Sequence, residues 1–417
     1  MKIVNSRDEQ NSRPAPLQLL EAVIPGIKLA RTYQLRWLRA DLLAGATMFA
    51  VLVPQGMAYG ELAGVVPVAG LYTAYIAMIF YALFASSRYL MVGPETTTAI
   101  LVAASVAPLV AGGDQARYAA LVALLTIMTG VIAIIAGIVR IGFIADFVSK
   151  PILIGYMDGA ALIIIESQLG KLFGIKTQGN AFFEKLWSII TQLGQTQWLT
   201  LAIGLTLIAL LLIFRRISPR IPGAIIVVIL STFASWLFHL DAHGVSVIGQ
   251  IPAGLPPPAI PVIKFGDIGD LLPTAFSLTL LAYVTGMIPA RAMAEKKREK
   301  LDANQEFIAM GVANLAAGFS QGFIAAGSQS RTGVNDAAGG KTQMVSLVAA
   351  LLLIVFLLWF TPLLQTLPLV ALAAIVIVAA AATLQINPVR NLFKVRATEG
   401  YLALAAFIGV LLFGVLG

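Results

Sequence analysis

Apolar runs recur along this chain with short polar segments between them, most of them near the roughly 20 residues that cross a bilayer as helix. The pattern predicts spans at about 42–60, 68–86, 118–138, 151–169, 198–214 and 222–239, then a second set at about 270–289, 304–320, 343–360, 367–384 and 400–416. Two polar segments break it at corresponding places in the two halves, Gly93-Pro94-Glu95-Thr96-Thr97-Thr98 and Gly327-Ser328-Gln329-Ser330-Arg331-Thr332. Glycine, proline and hydroxyl residues in that order suit a strand that breaks into a half-helix, here starting at about 95 and 330. Such paired breaks point to a midplane binding site. Arg331 strengthens the reading, because a charge is expensive in hydrocarbon unless it faces a cavity.

Two further stretches stand apart from the spans. Residues 181–193 place Phe182, Phe183, Leu186, Ile189, Ile190 and Leu193 on one helical face, which suits a helix lying at the outer interface. Residues 244–261 contain Pro256-Pro257-Pro258, cannot be helix, and form the natural hinge between the halves. His239 and His243 precede the hinge. Interfacial histidines need no metal, and no metal site is assigned to them.

Composition places the whole chain in the membrane: it is 59% hydrophobic and 12% charged, with mean hydropathy +0.89. It is read as one polytopic domain over 37–417, after a polar, basic cytoplasmic segment over 1–36 that has no cleavable signal. The absence of cysteine removes disulfides and thiol nucleophiles. A net charge of +8 could suggest nucleic acid, but its placement argues for topology instead. With the N-terminus inside, all of the 28 Lys and Arg except Arg117, Lys171, Lys176, Lys185, Lys264 and Arg331 fall on the inner side. The expected location is the plasma (inner) membrane, with the lipid bilayer as partner and no nucleic acid.

A helix N-terminus offers unpaired amides and about half a positive charge, so two ends facing each other make an anion site. Pro94 suits the start of the first half-helix. Ser328 and Ser330 can cap the second or donate to a ligand, and Arg331 adds a planar fork that fits oxyanions. The competing reading is a pair of capped, kinked helices with Arg331 snorkelling to an interface.

The residues now resemble a family. Val53-Pro54-Gln55-Gly56-Met57-Ala58-Tyr59, Leu62-Ala63-Gly64, Gly70-Leu71-Tyr72, Val92-Gly93-Pro94, Gly249-Gln250-Ile251-Pro252-Ala253-Gly254-Leu255-Pro256, Asn304-Gln305-Glu306, Ala313-Asn314-Leu315, Ser330-Arg331-Thr332 and Ala338-Gly339-Gly340-Lys341-Thr342 look like the signature of the sulfate permease (SulP) family of anion transporters. The resemblance covers nearly everything from Trp37 onward. It implies an all-α polytopic membrane protein built from two inverted seven-span repeats, about 37–243 and 262–417. Two half-helices meet at the midplane in such a fold. The resemblance divides the spans into a core, about 40–140 and 268–360, and a gate, about 150–240 and 366–417. It further implies elevator-like movement of the core and commonly a homodimer. Carried over residue by residue, Gln55 and Tyr59 line the site from the first span, Glu95, Thr96 and Thr97 from the first half-helix, and Ser328, Ser330 and Arg331 from the second. The family normally continues into a fourteenth span and a cytoplasmic STAS domain; the sequence ends at Gly417, so the expectation is a transporter domain cut short of both.

One departure bears on coupling. Many members carry a glutamate in the eighth span where this chain has Thr285, a residue kept among the substrate-binding candidates. Carboxylates stand instead at Glu95, Asp158 and Glu166, the latter two eight residues apart in the fifth span. Glu61, near the outer end of the first span, reads as solvated. Arg331 and two helix ends together supply about +2, and ionised Glu95 lowers this to about +1. Protonated Glu95 would therefore favour a dianion, giving proton-coupled sulfate uptake as the leading expectation. Ionised Glu95 would suit a monoanion or an anion with sodium, giving sodium-dependent bicarbonate transport as the alternative. An uncoupled chloride or anion channel or exchanger could use the same positive site. No cofactor is expected beyond a proton or sodium ion. Nucleobase symport lacks its acids at Thr285 and Arg331, and neither a His-Glu-x-x-His motif nor a nucleophile arrangement supports an enzyme.

Overall fold

Breaks in the hydrophobic pattern and breaks in the helices coincide. The computed structural model describes residues 21–413 apart from 22, 111–113, 147–149, 178, 180–181, 218–222, 251–253, 383 and 385–396. The leader through residue 20, Ala181, the basic residues Arg220, Arg390, Lys394 and Arg396, Ile251-Pro252-Ala253 and the C-terminal Gly417 thus lie outside the described residues.

A short helix α1 (Pro25–Thr32) precedes the first half of the fold. That half contains α2 (Leu35–Leu62), α3 (Val68–Phe84), strand β1 (Val92–Pro94), half-helix α4 (Thr96–Val106), α5 (Gln115–Ile138), α6 (Lys150–Phe173), α7 (Phe182–Thr191), α8 (Trp198–Ile217) and α9 (Gly223–Phe238). The second half repeats the order with α10 (Phe265–Lys297), α11 (Ala303–Phe319), β2 (Ala325–Gly327), half-helix α12 (Gln329–Ala337), α13 (Met344–Trp359), α14 (Leu369–Ala381) and α15 (Ala397–Phe413). Every predicted span is therefore a helix. The largest boundary error is α10, which is 33 residues long and continues through Pro289 into its basic end at Lys297.

Helices α2, α5, α8 and α10 are long and apolar enough to cross a membrane by themselves, and shorter apolar helices complete the bundle. In lipid the hydrophobic effect does not drive helices together, so close packing of small residues does much of that work. The α5–α11 contact illustrates it: a Cβ on Gly130 would lie 2.6 Å from the Leu315 amide, and one on Gly311 would lie 2.7 Å from the Gly130 carbonyl. The helices α2–α5 and α10–α13 pack mainly on one another, while α6 packs on α14 and α15, and α8 packs on α14. Large apolar side chains such as Phe233, Trp236 and Leu351 point outward.

The sorting of charge follows the bundle axis. Arg31, Arg88, Lys296, Lys297 and Lys341 gather with the start of α2 at one end, and Arg117, Lys171 and Lys264 gather at the other. Among its described residues the segment after α9 is non-helical, and it hydrogen-bonds along the turn before α14 through Ile248 to Leu367 and Gly249 to Gln365. Helix α7 covers the stretch read as an interfacial helix. Ile189 is buried, but Phe183 and Ile190 are half exposed, because only one side of this short helix finds protein and the rest is left for lipid.

Candidate functional site

Strands β1 and β2 cross antiparallel, pairing Val92 with Gly327, Gly93 with Ala326 and Pro94 with Ala325. Each strand runs straight into a half-helix, so the N-termini of α4 and α12 meet at this crossing. Backbone groups inside a membrane need partners, and two three-residue strands cannot satisfy all of their own. Buried side chains supply the rest. Asn314 on α11 accepts from the Ala325 amide at 2.8 Å and donates to the Ala325 carbonyl at 3.0 Å. Thr73 accepts from the Phe323 amide, Thr98 donates to the Ile324 carbonyl, and Thr332 accepts from the Met91 amide. Behind β2, a Cβ on Gly327 would lie 2.5 Å from the Gly286 Cα, so α10 approaches the strand backbone to backbone.

The two helix starts are finished differently. Glu95 is the N-cap of α4, and its carboxylate accepts from the amides of Thr97 at 2.8 Å and Thr98 at 3.4 Å. That end therefore holds an anion of its own; the charge count from sequence included Glu95, and the structure adds that its carboxylate is engaged in capping the helix end. Ser328 is the N-cap of α12, accepting from the Arg331 amide and sharing a hydrogen bond with the Ser330 hydroxyl at 3.1 Å. The amides of Gln329 and Ser330 have no partner among the described residues, and both residues are exposed.

Arg331 is only 2% exposed. Its Nη1 donates to the Pro94 carbonyl at 2.7 Å, tying α12 across to β1, while its Nε and Nη2 are buried without a partner. Gly93 leaves room there, since a Cβ at that position would lie 3.7 Å from Nη2. Snorkelling to an interface is ruled out by this placement. A guanidinium anchored by one nitrogen with two more buried and unmatched is arranged to receive an acceptor.

From α2, Gln55 and Tyr59 are one helical turn apart and share a face. Tyr59 lies beside Thr96 and within electrostatic range of Arg331 and Glu95. The Gln55 Oε1 is buried and unpartnered. Thr96 and Thr97 are buried in the first turn of α4. The structure thus brings Gln55, Tyr59, Glu95, Thr96, Thr97, Ser328, Ser330 and Arg331 to one crossing. Thr285 stands next to Gly286 on α10, but its hydroxyl turns back to the carbonyls of Leu281 and Ala282, as hydroxyls in apolar helices do.

The carboxylates of α6 separate by depth. Tyr156, which the sequence reading did not single out, lies within electrostatic range of Glu95. Asp158 is two residues farther along and buried. Glu166 lies ten residues beyond Tyr156, about 15 Å of helix rise, and is 3% exposed with both oxygens unpartnered. Its acting charge is Lys185 near the bundle end, so it does not join the crossing. Glu61 is not simply solvated: it pairs with Lys171 of α6 at 2.9 Å. Sequence reasoning also missed the support roles of Asn314, Thr73, Thr98 and Thr332. A polar residue inside an apolar run was the available signal, but which backbone group each would serve depends on a partner more than ten residues away.

The model of the sulfate permease family matches residues 38–406. A probable sulfate transporter of Mycobacterium tuberculosis is 41% identical over 391 residues, covering 94% of this chain and 70% of that protein. Sulfate transporter 3.1 of Arabidopsis thaliana is 31% identical over 404 residues, covering 94% of this chain and 61% of its own length. Among solved structures, SLC26A9 superposes with a TM-score of 0.90 at 25% identity, covering 98% of this chain and 68% of the other. The transmembrane domain of a cyanobacterial bicarbonate transporter, BicA, gives 0.82 at 24% identity, covering 92% of this chain and 97% of that domain, a likeness of fold.

Proposed function

Because the chain belongs to the sulfate permease family of anion transporters, we propose that the β1–β2 crossing binds an inorganic oxyanion, sulfate first, and that the protein carries it across the membrane with a proton. The observation that carries this reading is Arg331, buried with Nε and Nη2 unmatched beside the open amides of Gln329 and Ser330. An oxyanion can accept from all of these, and Gln55 and Tyr59 close the site from α2. The relatives named as sulfate transporters support sulfate as the substrate.

Glu95 supplies the coupling. While ionised, it holds the Thr97 and Thr98 amides and competes with the substrate for positive charge. A proton makes it a weaker acceptor, removes one negative charge, and returns the α4 end to the anion. Proton and dianion therefore favour each other's binding, and by linkage each tightens the other equally. Asp158, two residues from Tyr156 on α6, is the candidate to pass the proton, and Glu166, acting only through a relay, is the lesser one. Transport follows by an elevator movement of α2–α5 and α10–α13 against α6, α8, α9, α14 and α15, within a homodimer in the plasma (inner) membrane with the N-terminus cytoplasmic.

The test is uptake of labelled sulfate into proteoliposomes under an inward proton gradient, with and without sodium, beside Arg331→Ala. Proton-driven, sodium-independent uptake that disappears in the variant is the expected result. Sulfate uptake insensitive to Arg331→Ala would overturn the site. A second reading is sodium-dependent bicarbonate transport, favoured by the capped state of Glu95, whose charge leaves about +1 for a monoanion, and by the fold shared with a bicarbonate transporter. Bicarbonate uptake that requires sodium, with no sulfate uptake, would establish it.

A further inference from the structure

A cavity of about 510 Å³ lies at the basic end of the bundle, lined by none of the crossing residues, where α1 covers the end of α3 and the turn between α10 and α11. Helix α1 is amphipathic and rests close on α3; a Cβ on Gly26 would lie 2.7 Å from the Leu83 carbonyl. The cavity is bordered by three cations, Lys28, Arg88 and Lys300, against one carboxylate, Glu299.

Arg88 is already positioned. Its guanidinium stacks over Trp37 at 5.1 Å and gives Nη1 to Glu299 at 3.1 Å, while its Nε is buried without a partner. Lys28 and Lys300 have no carboxylate partner among the described residues. The neutral polar groups of the floor are committed elsewhere. Ser86 donates to Glu306, Ser87 accepts from the Leu90 amide, and Gln343 donates to the carbonyls of Ser87 and Leu90. What remains is a floor whose neutral polar groups are committed, rimmed by the exposed Lys28 and Lys300, which have no carboxylate partner among the described residues. Its flank, formed by Pro25, Leu29, Trp37 and Ala82, is apolar.

We propose that this cavity seats the phosphate of an anionic phospholipid, with its acyl chains along the apolar flank and α1 held on α3 by the bound headgroup. Basic pockets between membrane helices suit such headgroups, and each cation near the surface strengthens the attraction severalfold. A neutral or zwitterionic lipid would leave Lys28 and Lys300 unmatched. A phosphate carried by a lipid also explains why polar and apolar linings meet in one cavity at the membrane interface.

The test places the full chain in phosphatidylcholine vesicles containing photoactivatable phosphatidylglycerol, and locates captured lipid on peptides by mass spectrometry. Capture on the segments bearing Lys28 to Trp37 and Ala82 to Arg88 is expected, falling about thirtyfold in Lys28→Gln/Lys300→Gln. Arg31→Gln removes a charge from the same helix but outside the cavity, where Arg31 pairs with Glu21, and should change capture by less than about twofold. Equal loss in Arg31→Gln would reduce the effect to general surface charge and overturn the site, as would equal capture of photoactivatable phosphatidylcholine. Excess inorganic phosphate should leave capture intact. Displacement by phosphate but not by chloride at equal ionic strength would overturn the lipid as occupant and assign the cavity to free phosphate.

Discussion

At the start of α4 the Glu95 carboxylate accepts from two backbone amides, whereas at the start of α12 Ser328 takes one amide and a buried guanidinium follows three residues later. The two ends share a strand, a break and a cap, and they are related by the antiparallel pairing of β1 with β2. They differ in charge. One half-helix carries its own removable anion; the other carries a permanent cation tied across the pair to Pro94. The difference teaches that the repeat builds the crossing, while two non-equivalent side chains set the charge at its two helix ends.

Removing the cation should break the comparison most severely. Arg331→Ala leaves the Pro94 carbonyl unmatched and deprives the substrate of its charged donors, so uptake should fall by at least about a hundredfold. Arg331→Lys should recover little, since an ammonium cannot reproduce the fork. Proteoliposome uptake at saturating and limiting anion would measure both.

Next in size is the scaffold that holds the two ends together. Asn314→Ala strips the Ala325 amide and carbonyl of their side-chain partners and should cost about 2 to 3 kcal/mol. Thermal unfolding of the purified protein reads this directly, and a variant as stable as the parent would mean that water or a neighbouring group replaces the amide.

Neutralising the removable anion sharpens the comparison without dismantling it. Glu95→Gln retains an oxygen to accept from Thr97 and Thr98 but cannot titrate. Sulfate uptake should become independent of pH, and in the alkaline range should exceed the parent severalfold. The sign follows from charge: in the parent, raising pH ionises Glu95 and opposes the dianion. Unchanged pH dependence would remove Glu95 from the coupling step and direct attention to Asp158.

The smallest effect is expected at the bundle end, where Glu61 and Lys171 join α2 to α6 in a partly exposed pair. Lys171→Gln should alter stability by less than about 1 kcal/mol. An effect on transport larger than on stability would identify the pair as a brake on movement between the two helix groups.

Much of this arrangement is legible before folding. The apolar runs marked each spanning helix because crossing a bilayer demands a fixed length of apolar chain, and the two polar breaks marked the crossing because glycine, proline and hydroxyl residues cannot continue an apolar helix unaided, whereas α1, in the polar leader, gave no such signal. Arg331 stood out for the cost of a charge in hydrocarbon. Those inferences depend on local composition and on the solvent, which a sequence states directly. Only the tertiary structure decided that Arg331 keeps two nitrogens unmatched, that Tyr156 and not Glu166 of α6 lies near Glu95, and that Asn314 supports Ala325. Each of those facts is a distance between groups brought together by the packing of several helices, and such distances are set by the whole bundle rather than by any one segment of it.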